Sequence, residues 1–413
     1  MTPRRGGAIE LFATTFSLLL FATAAGAQAP VSREDAVASA LTQGVRLGLA
    51  RADTAVAFAQ LLTARAFQNP MLAASYSKST PNYHVTLELP IDLPTLRNAR
   101  IGSARASRAA AQYRFAFERA ATALDADTTY TRALATREKA QLSRRNAQDA
   151  DSLRRMAISR RNAGDASDLD VELATVNAGQ AANIAAADSL TYLSAVLDLQ
   201  VVMGLAADRV AIVPTDSLRA PPTPAVPPDS ALPLAASPLQ VAAAEASLEA
   251  ARLAVRLQRR SIFSTPSIIG GIETGDPTGS EPGILPTFGL GLPLPLFNRN
   301  RGPIAQAEAE HARARATLTL AQLQSRTEIA RTRRELAIAL SKLDRDRVLV
   351  AAANRVAAMS LTAYREGASS LPNVLEAQRN AREVLSQYVD DLAGAWIFAA
   401  ELRVRSLTPT GTP

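Results

Sequence analysis

The sequence contains no cysteine. Disulfides and thiolate metal sites are excluded, while the redox compartment stays open. Histidine is almost as scarce, with only His84 and His311. Neither has a second ligand three or four residues further on, so both read as solvated side chains and no metal site is expected. Aromatic residues make up 5% of the chain against abundant alanine, a composition for long, closely packed helices rather than a bulky core. Runs of like charge are missing too. The net charge of +7 is interspersed Arg, Glu and Asp, without the clustering of a nucleic-acid footprint. No G-x-S-x-G, P-loop or Rossmann fingerprint occurs. Gly270-Gly271 and Gly289-x-Gly291 sit in strand-like stretches, and Asp125 and Asp127 lie two apart on a helix and face different ways. No catalytic or cofactor-binding residue stands out, and an enzyme is not expected.

What is present starts with an export signal. Residues 1–27 read as a secretory signal peptide: Arg4 and Arg5, an apolar Leu11–Ala24, and a small-residue site ending at about Ala27. The apolar run is shorter than the ~20 residues of a spanning helix, and no later run is long enough to cross a membrane as a helix.

The mature chain falls into two similar halves, 28–213 and 239–413, separated by a Pro-rich stretch at 214–238 that reads as an extended linker. In the first half, Ser32 caps a helix expected to run to about Phe67. Strands follow at about 71–79 and 83–91, then a long helix at about 95–161. A break at Asn162–Asp165 leads into a return helix at about 167–203, ended by Gly204. The second half repeats the plan: a helix at about 239–260, strands within 267–296, a long helix at about 303–364 opened by Pro303, a break around Gly367, and a return helix at about 371–406. One constant shift carries Pro90 to Pro293, Gly164 to Gly367, Val171 to Val374, Ala174 to Ala377 and Leu199 to Leu402, a tandem duplication. In the second long helix, Ile329, Leu336, Leu343, Val350, Ala357 and Tyr364 recur every seven residues, a left-handed coiled-coil signal. In the first return helix, Leu169, Leu173, Val176, Ala187, Leu190, Leu197 and Val201 step by threes and fours and read as its seam. If the first and return helices of each half stack end to end, each half supplies two rods of about 100 Å.

The strands alternate. Tyr83, Val85, Leu87, Leu89 and Ile91 fall on one side, as do Phe288, Leu290, Leu292, Leu294 and Leu296 later; Thr86, Glu88, Gly289 and Gly291 fall on the other. Four strands cannot close a barrel that needs about eight, so several chains must contribute. In that arrangement Leu87, Leu89, Leu290 and Leu292 face lipid and the polar side faces a lumen. The fold class is thus mostly α with a small β part: a duplicated helix–β-hairpin–long helix–helix unit forming a long antiparallel coiled-coil α-barrel. Strands serving only as lids on a soluble coiled-coil rod remain the competing reading.

Two stretches carry a family resemblance: Leu292-Pro293-Leu294-Pro295-Leu296-Phe297-Asn298-Arg299-Asn300-Arg301-Gly302, and Tyr364-Arg365-Glu366-Gly367 through Leu375-Glu376-Ala377-Gln378, supported by the duplicated Gly164…Leu169-Asp170-Val171. With them the chain resembles the TolC-type outer-membrane efflux proteins, in flavour those paired with resistance-nodulation-division pumps for heavy-metal cations. The resemblance implies a homotrimer in which four strands from each of three chains form a twelve-stranded transmembrane barrel. It also implies a periplasmic helical tunnel that passively conducts substrate from an inner-membrane RND-type pump through a periplasmic adaptor. It places tip turns at Gly164 and Gly367 and tip-gate candidates at Asp170, Tyr364, Asn373 and Glu376. Of the family's paired acidic rings only Glu376 is acidic, and a basic latch residue of the family corresponds to Ser369. On the residues alone, Asp170 also reads as a helix N-terminal acid and Tyr364 as a seam residue. The outlet of a type I protein-secretion system would share this fold; a periplasmic adaptor would show one helical hairpin rather than two.

Overall fold

The computed structural model describes residues 29–206, 212–222, 237–262, 265–276, 278–279 and 283–409. The expected signal peptide lies outside these residues. The chain opens with β1 (Ala29–Val31) and α1 (Arg33–Gln43). Ser32 and Asp35 form a reciprocal capping box at the start of α1: the Asp35 N–H donates to the Ser32 hydroxyl, and the Ser32 N–H donates to the Asp35 carboxylate. Those bonds hold the Asp35 pKa below its ordinary value. The single helix expected to Phe67 is two. Gly44 interrupts it at φ −59°, ψ 123°, and α2 runs from Val45 to Arg65. A Cβ on Gly44 would lie 2.2 Å from the Ala40 carbonyl oxygen, so only glycine turns the chain there.

Next come β2 (Met71–Tyr76), β3 (Tyr83–Pro90), α3 (Pro94–Asn162), α4 (Asp168–Met203) and β4 (Ile212–Pro214). The second half supplies α5 (Leu239–Arg260), β5 (Ser267–Thr274), β6 (Leu285–Gly291), α6 (Arg301–Arg365) and α7 (Leu371–Arg405). β6 stops at Gly291 rather than Leu296, because Pro293 and Pro295 cannot donate to a ladder. α6 starts two residues before Pro303, after a left-handed Asn300 at φ 58°. Pro303 still falls in the first turn, where its missing N–H would have had no helical partner.

Four rods lie side by side. α2 and α4 pack along different lengths of α3, α5 and α7 do the same along α6, and α3 joins the halves by packing against α5 and α7. The joint of the first composite rod is tight: the Ser39 hydroxyl donates to the Met203 carbonyl at 3.0 Å, and the left-handed Gly204 sits against Gln43 where a Cβ would come within 2.5 Å of a carbonyl. α3, with 69 residues, spans about 100 Å at ~1.5 Å per residue. Alanine makes the close approach possible. Ala126, Ala133, Ala140, Ala150 and Ala157 of α3, and Ala174, Ala181 and Ala185 of α4, are all buried.

This contact corrects the expected seam of α4. The side facing α3 carries Ala174, Ala181, Val196 and Leu199, whereas Leu169, Val176, Leu190 and Val201 are 56–70% exposed. The larger apolar stripe of α4 is therefore turned away from α3 and left exposed. The seam expected on α6 does turn inward, with Leu336, Leu343 and Tyr364 buried, yet a second stripe through Leu323, Ile338, Val348 and Met359 is left exposed.

The Pro-rich stretch is not linker throughout. β4 pairs in parallel with β1, and the residues after it form a strap across the middle of the rods. Asp216 accepts from the Arg33 N–H at 2.9 Å and the Tyr130 hydroxyl at 2.8 Å. Its own carbonyl accepts from Arg137 at 2.8 Å. Leu218 packs onto clusters around Tyr130, Val389 and Leu392, and the Trp396 indole donates to the Arg219 carbonyl.

Candidate functional site

The chemistry-bearing regions lie at the two ends of the rods. At one end the strands form an antiparallel sheet in the order β2-β3-β5-β6. Its register, with Leu72 opposite Leu87, Leu87 opposite Gly270 and Gly270 opposite Phe288, sorts side chains onto two faces. One carries Leu72, Val85, Leu87, Leu89, Ile268, Ile272, Phe288 and Leu290; Leu87, Leu89 and Leu290 are 47–70% exposed, as is Leu292 just beyond β6. The other carries Ser75, His84, Thr86, Glu88, Glu273 and Thr287. His84, Glu88 and Glu273, the histidine and the two carboxylates of these strands, are all on that polar face. His84 lies 3.4 Å from Glu273 and 3.3 Å from the Ser77 hydroxyl, so it is partnered rather than merely solvated. β2 and β6 each pair on one side only among the described residues, leaving two free edges. No helix among the described residues is long and apolar enough to cross a membrane.

At the far end, both hairpins turn on left-handed glycines, Gly164 at φ 84° and Gly367 at φ 76°. Asp170 spends its carboxylate locally, accepting from the Ser167 N–H at 3.1 Å and the Ser167 hydroxyl at 2.9 Å as half of a capping box. Tyr364 is buried among Leu153, Ala157, Ala174, Leu371 and Val374, a cluster drawn from both hairpins. Its phenolic oxygen is buried with no hydrogen-bond partner among the described residues, so Asp170 and Tyr364 are neighbours without a bond between them. Burial pushes the Tyr364 pKa up; the Arg160 charge opposes that shift and the Asp170 charge adds to it. Asn373 and Glu376 stand exposed, three residues apart on one face of α7.

The tip residue that sequence reasoning missed is Arg160. It belongs to the first hairpin, and its guanidinium donates to the Tyr364 carbonyl of the second at 2.6 Å while lying 4.8 Å from the Tyr364 ring centroid. A second nitrogen reaches the Asp165 carbonyl at 3.5 Å. In sequence it shows only as a basic residue in the last turn of a helix, where the dipole alone explains it. Between the hairpins, α3, α4 and α7 line an open groove of about 770 Å³ that includes Leu173, Val176, Ile184, Glu376 and Arg382.

Residues 234–403 match the family model described as Outer membrane efflux protein. None of the curated proteins matches the chain in sequence. Several solved structures match its fold. A membrane protein from Pseudomonas aeruginosa is 22% identical with a TM-score of 0.77, over 91% of this chain and 93% of that one. The CmeC outer membrane channel of Campylobacter jejuni is 15% identical with a TM-score of 0.76, over 91% of this chain and 85% of its own. The outer membrane protein VceC of Vibrio cholerae is 16% identical with a TM-score of 0.72, over 91% and 95%. Over residues 234–403 the chain resembles the outer membrane efflux proteins in sequence, and over 91% of its length it shares the fold of solved outer membrane channels.

Proposed function

We propose that the protein is the outer-membrane exit duct of a tripartite efflux system, working as a homotrimer with a periplasmic adaptor and an inner-membrane RND-type pump. One observation carries the reading: sheet and helical layer are unfinished along their edges. The sheet is greasy on one face, polar on the other and unpaired at β2 and β6. The outer rods α4 and α6 also carry exposed apolar stripes. Further copies would close both layers at once, giving a barrel that faces lipid with leucine and water with His84, Glu88 and Glu273. β3, with eight residues at ~3.3 Å each, is about 26 Å long and at a barrel tilt of ~40° covers about 20 Å of the ~25 Å apolar band of outer-membrane barrels. Such a duct needs no bond-making; it needs a passage of suitable width that its partners open.

Sizing with light scattering in mild detergent should return a trimer, and planar bilayers should show discrete conductance steps. A monomer that stays in aqueous buffer would refute the reading.

The tip is the gate in this scheme. Asp170, Tyr364, Asn373 and Glu376 are its candidate residues and Gly164 and Gly367 its turns, with Arg160 added as the clasp between hairpins. Asp170→Ala, Tyr364→Ala and Arg160→Ala should each raise the open probability in bilayers, the second by emptying the cluster shared by the two hairpins. Unchanged conductance in all three would remove the tip from the gate.

A further inference from the structure

Where the strands give way to the helices, the greasy stripe ends in a collar of arginines. Past β6 the alternation runs on through Leu292, Leu294 and Leu296, each 59–69% exposed, to a fully exposed Phe297. Arg299 and Arg301 follow at once, both exposed and without a hydrogen bond or ion pair among the described residues. The turn is pinned to α5, because the Asn300 side-chain amide donates to the Gln258 carbonyl at 2.7 Å. That bond sets Arg259 and Arg260 at the same level. Arg256 lies one turn below, about 6 Å at ~1.5 Å per residue. Arg256, Arg259, Arg260 and His311 line an open cleft of about 450 Å³ between α5 and α6.

The charges there are not cancelled. Arg259 is taken by Glu308 at 2.6 Å, and Arg252, on the cleft wall, by Glu249 at 2.7 Å. Arg260 donates to a neutral acceptor, the Thr95 carbonyl, at 2.9 Å and so keeps its net charge. Arg256 has no ion-pair partner among the described residues. Four positive charges, on Arg256, Arg260, Arg299 and Arg301, therefore stand without an ion-pair partner among the described residues where the apolar band stops. The strands themselves contain no lysine or arginine.

We propose that this collar binds the phosphate headgroups of anionic phospholipids in the leaflet that faces the periplasm. The inference rests on the membrane placement of the sheet argued above. Arginine suits the task because its planar fork meets phosphate oxygens in pairs. The leucine and phenylalanine residues set the depth, holding the acyl chains beside the sheet and the headgroups beside the arginines. Each such charge near an anionic surface strengthens association about five-fold.

The test uses the full chain in vesicles of phosphatidylcholine alone or mixed with phosphatidylglycerol. After extraction in mild detergent, native mass spectrometry counts the lipids that remain bound. The wild type should retain phosphatidylglycerol in preference to phosphatidylcholine, and added salt should weaken that preference. Arg256→Gln, Arg299→Gln or Arg301→Gln should each lower it about five-fold, and the triple variant should lose it while still inserting. Arg355→Gln, on the distant part of α6, removes the same charge and should change nothing. Equal retention of the two lipids by the wild type, or an undiminished preference in the triple variant, overturns the proposal. So does inorganic phosphate stabilising the protein in phosphatidylcholine as well as phosphatidylglycerol does, which would reassign the cleft to a soluble anion. Failure to insert into either vesicle is a separate outcome, and it would sink the channel reading itself.

Discussion

The two helical hairpins come from one duplicated unit but close their turns by different chemistry. The shift that carries Gly164 to Gly367 also carries Arg161 to Tyr364, Ser167 to Ser370, Asp168 to Leu371 and Asp170 to Asn373. The first hairpin closes on an ion pair, Arg161 to Asp168 at 3.3 Å, both exposed, and caps its return helix with Ser167 and Asp170. The second replaces that pair with Tyr364 and Leu371, buried in one cluster, and its Ser370 makes no side-chain cap. An exposed ion pair contributes ~1 kcal/mol at most, so the first turn is held mainly by its own backbone and cap. The second is held by burial against its neighbour and by Arg160, which belongs to the first. The first hairpin thus stands alone and the second leans on it, so detaching one from the other costs the second most.

The largest expected break in this asymmetry is Leu371→Ala. Leu371 is 1% exposed, and truncating a buried leucine costs about 2–5 kcal/mol. Its counterpart Asp168→Ala should cost under ~1 kcal/mol. Hydrogen exchange on peptides from the two turns of the assembled protein separates them; equal deprotection in both variants would show that burial is not what distinguishes the hairpins. Arg160→Ala comes next. It strips a charged donor from the Tyr364 carbonyl, an interaction of about 1.5–3 kcal/mol when shielded and about 1 for this half-exposed side chain. The exchange should rise at 364–370 and not at 163–168. Arg160→Lys should not restore it, since a point charge cannot both reach the carbonyl and lie over the ring.

The same contrast recurs higher on the rods. Asp127 in the first repeat is 8% exposed and engaged by Arg33. Asp346 in the second is 7% exposed, has an unpartnered oxygen, and sits beside Asp391 rather than a cation of its own. Burial, and then Asp391, raise the Asp346 pKa above the ordinary carboxylate value. Asp391 goes the other way: burial pushes it up, but hydrogen bonds from Lys342, Gln387 and Asp346 together bring it below. The raised group gives stability that is complete below the unfolded value of about 3.9 and is lost as pH climbs through the higher folded value. Asp346→Asn should therefore raise Tm at neutral pH and have little effect in acid. A gain that is the same at both pH values would refute the assignment.

How much of this the sequence disclosed follows from what each pattern encodes. Periodicity and punctuation located the elements, because Gly164, Gly204 and Gly367 need left-handed backbone and the prolines cannot enter a ladder. α5 and β5 lie within their expected bounds for that reason. Gly44 failed as a signal because a lone glycine inside a helical pattern is usually tolerated. The α4 seam was assigned to the wrong side because periodicity marks an apolar face without naming its partner; the smaller alanine face packs on α3 and leaves the leucine face exposed. At the tip, the resemblance pointed to Asp170 and Tyr364. It could not foresee that a capping box occupies the one while the other is buried without a bond. Arg160 was invisible because its acceptor is a backbone carbonyl more than two hundred residues away, and a carbonyl has no letter in the sequence.

The smallest effect is the sharpest test of the comparison, because it asks whether the second hairpin can be given what the first has. Ser167→Ala should cost about 1 kcal/mol by removing the cap, whereas Ser370→Ala should be close to neutral because Ser370 makes no cap bond. Asn373→Asp places a carboxylate at the third position after Ser370, the spacing that Ser167 and Asp170 already use. It should gain a few tenths of a kcal/mol from the box. The gain should appear as slower exchange at 371–374 and vanish in Asn373→Asp combined with Ser370→Ala. A gain that survives loss of the serine would come from the dipole alone. In that case the missing cap would not explain why the second hairpin leans on the first, and the dependence would rest on Tyr364, Leu371 and Arg160 only.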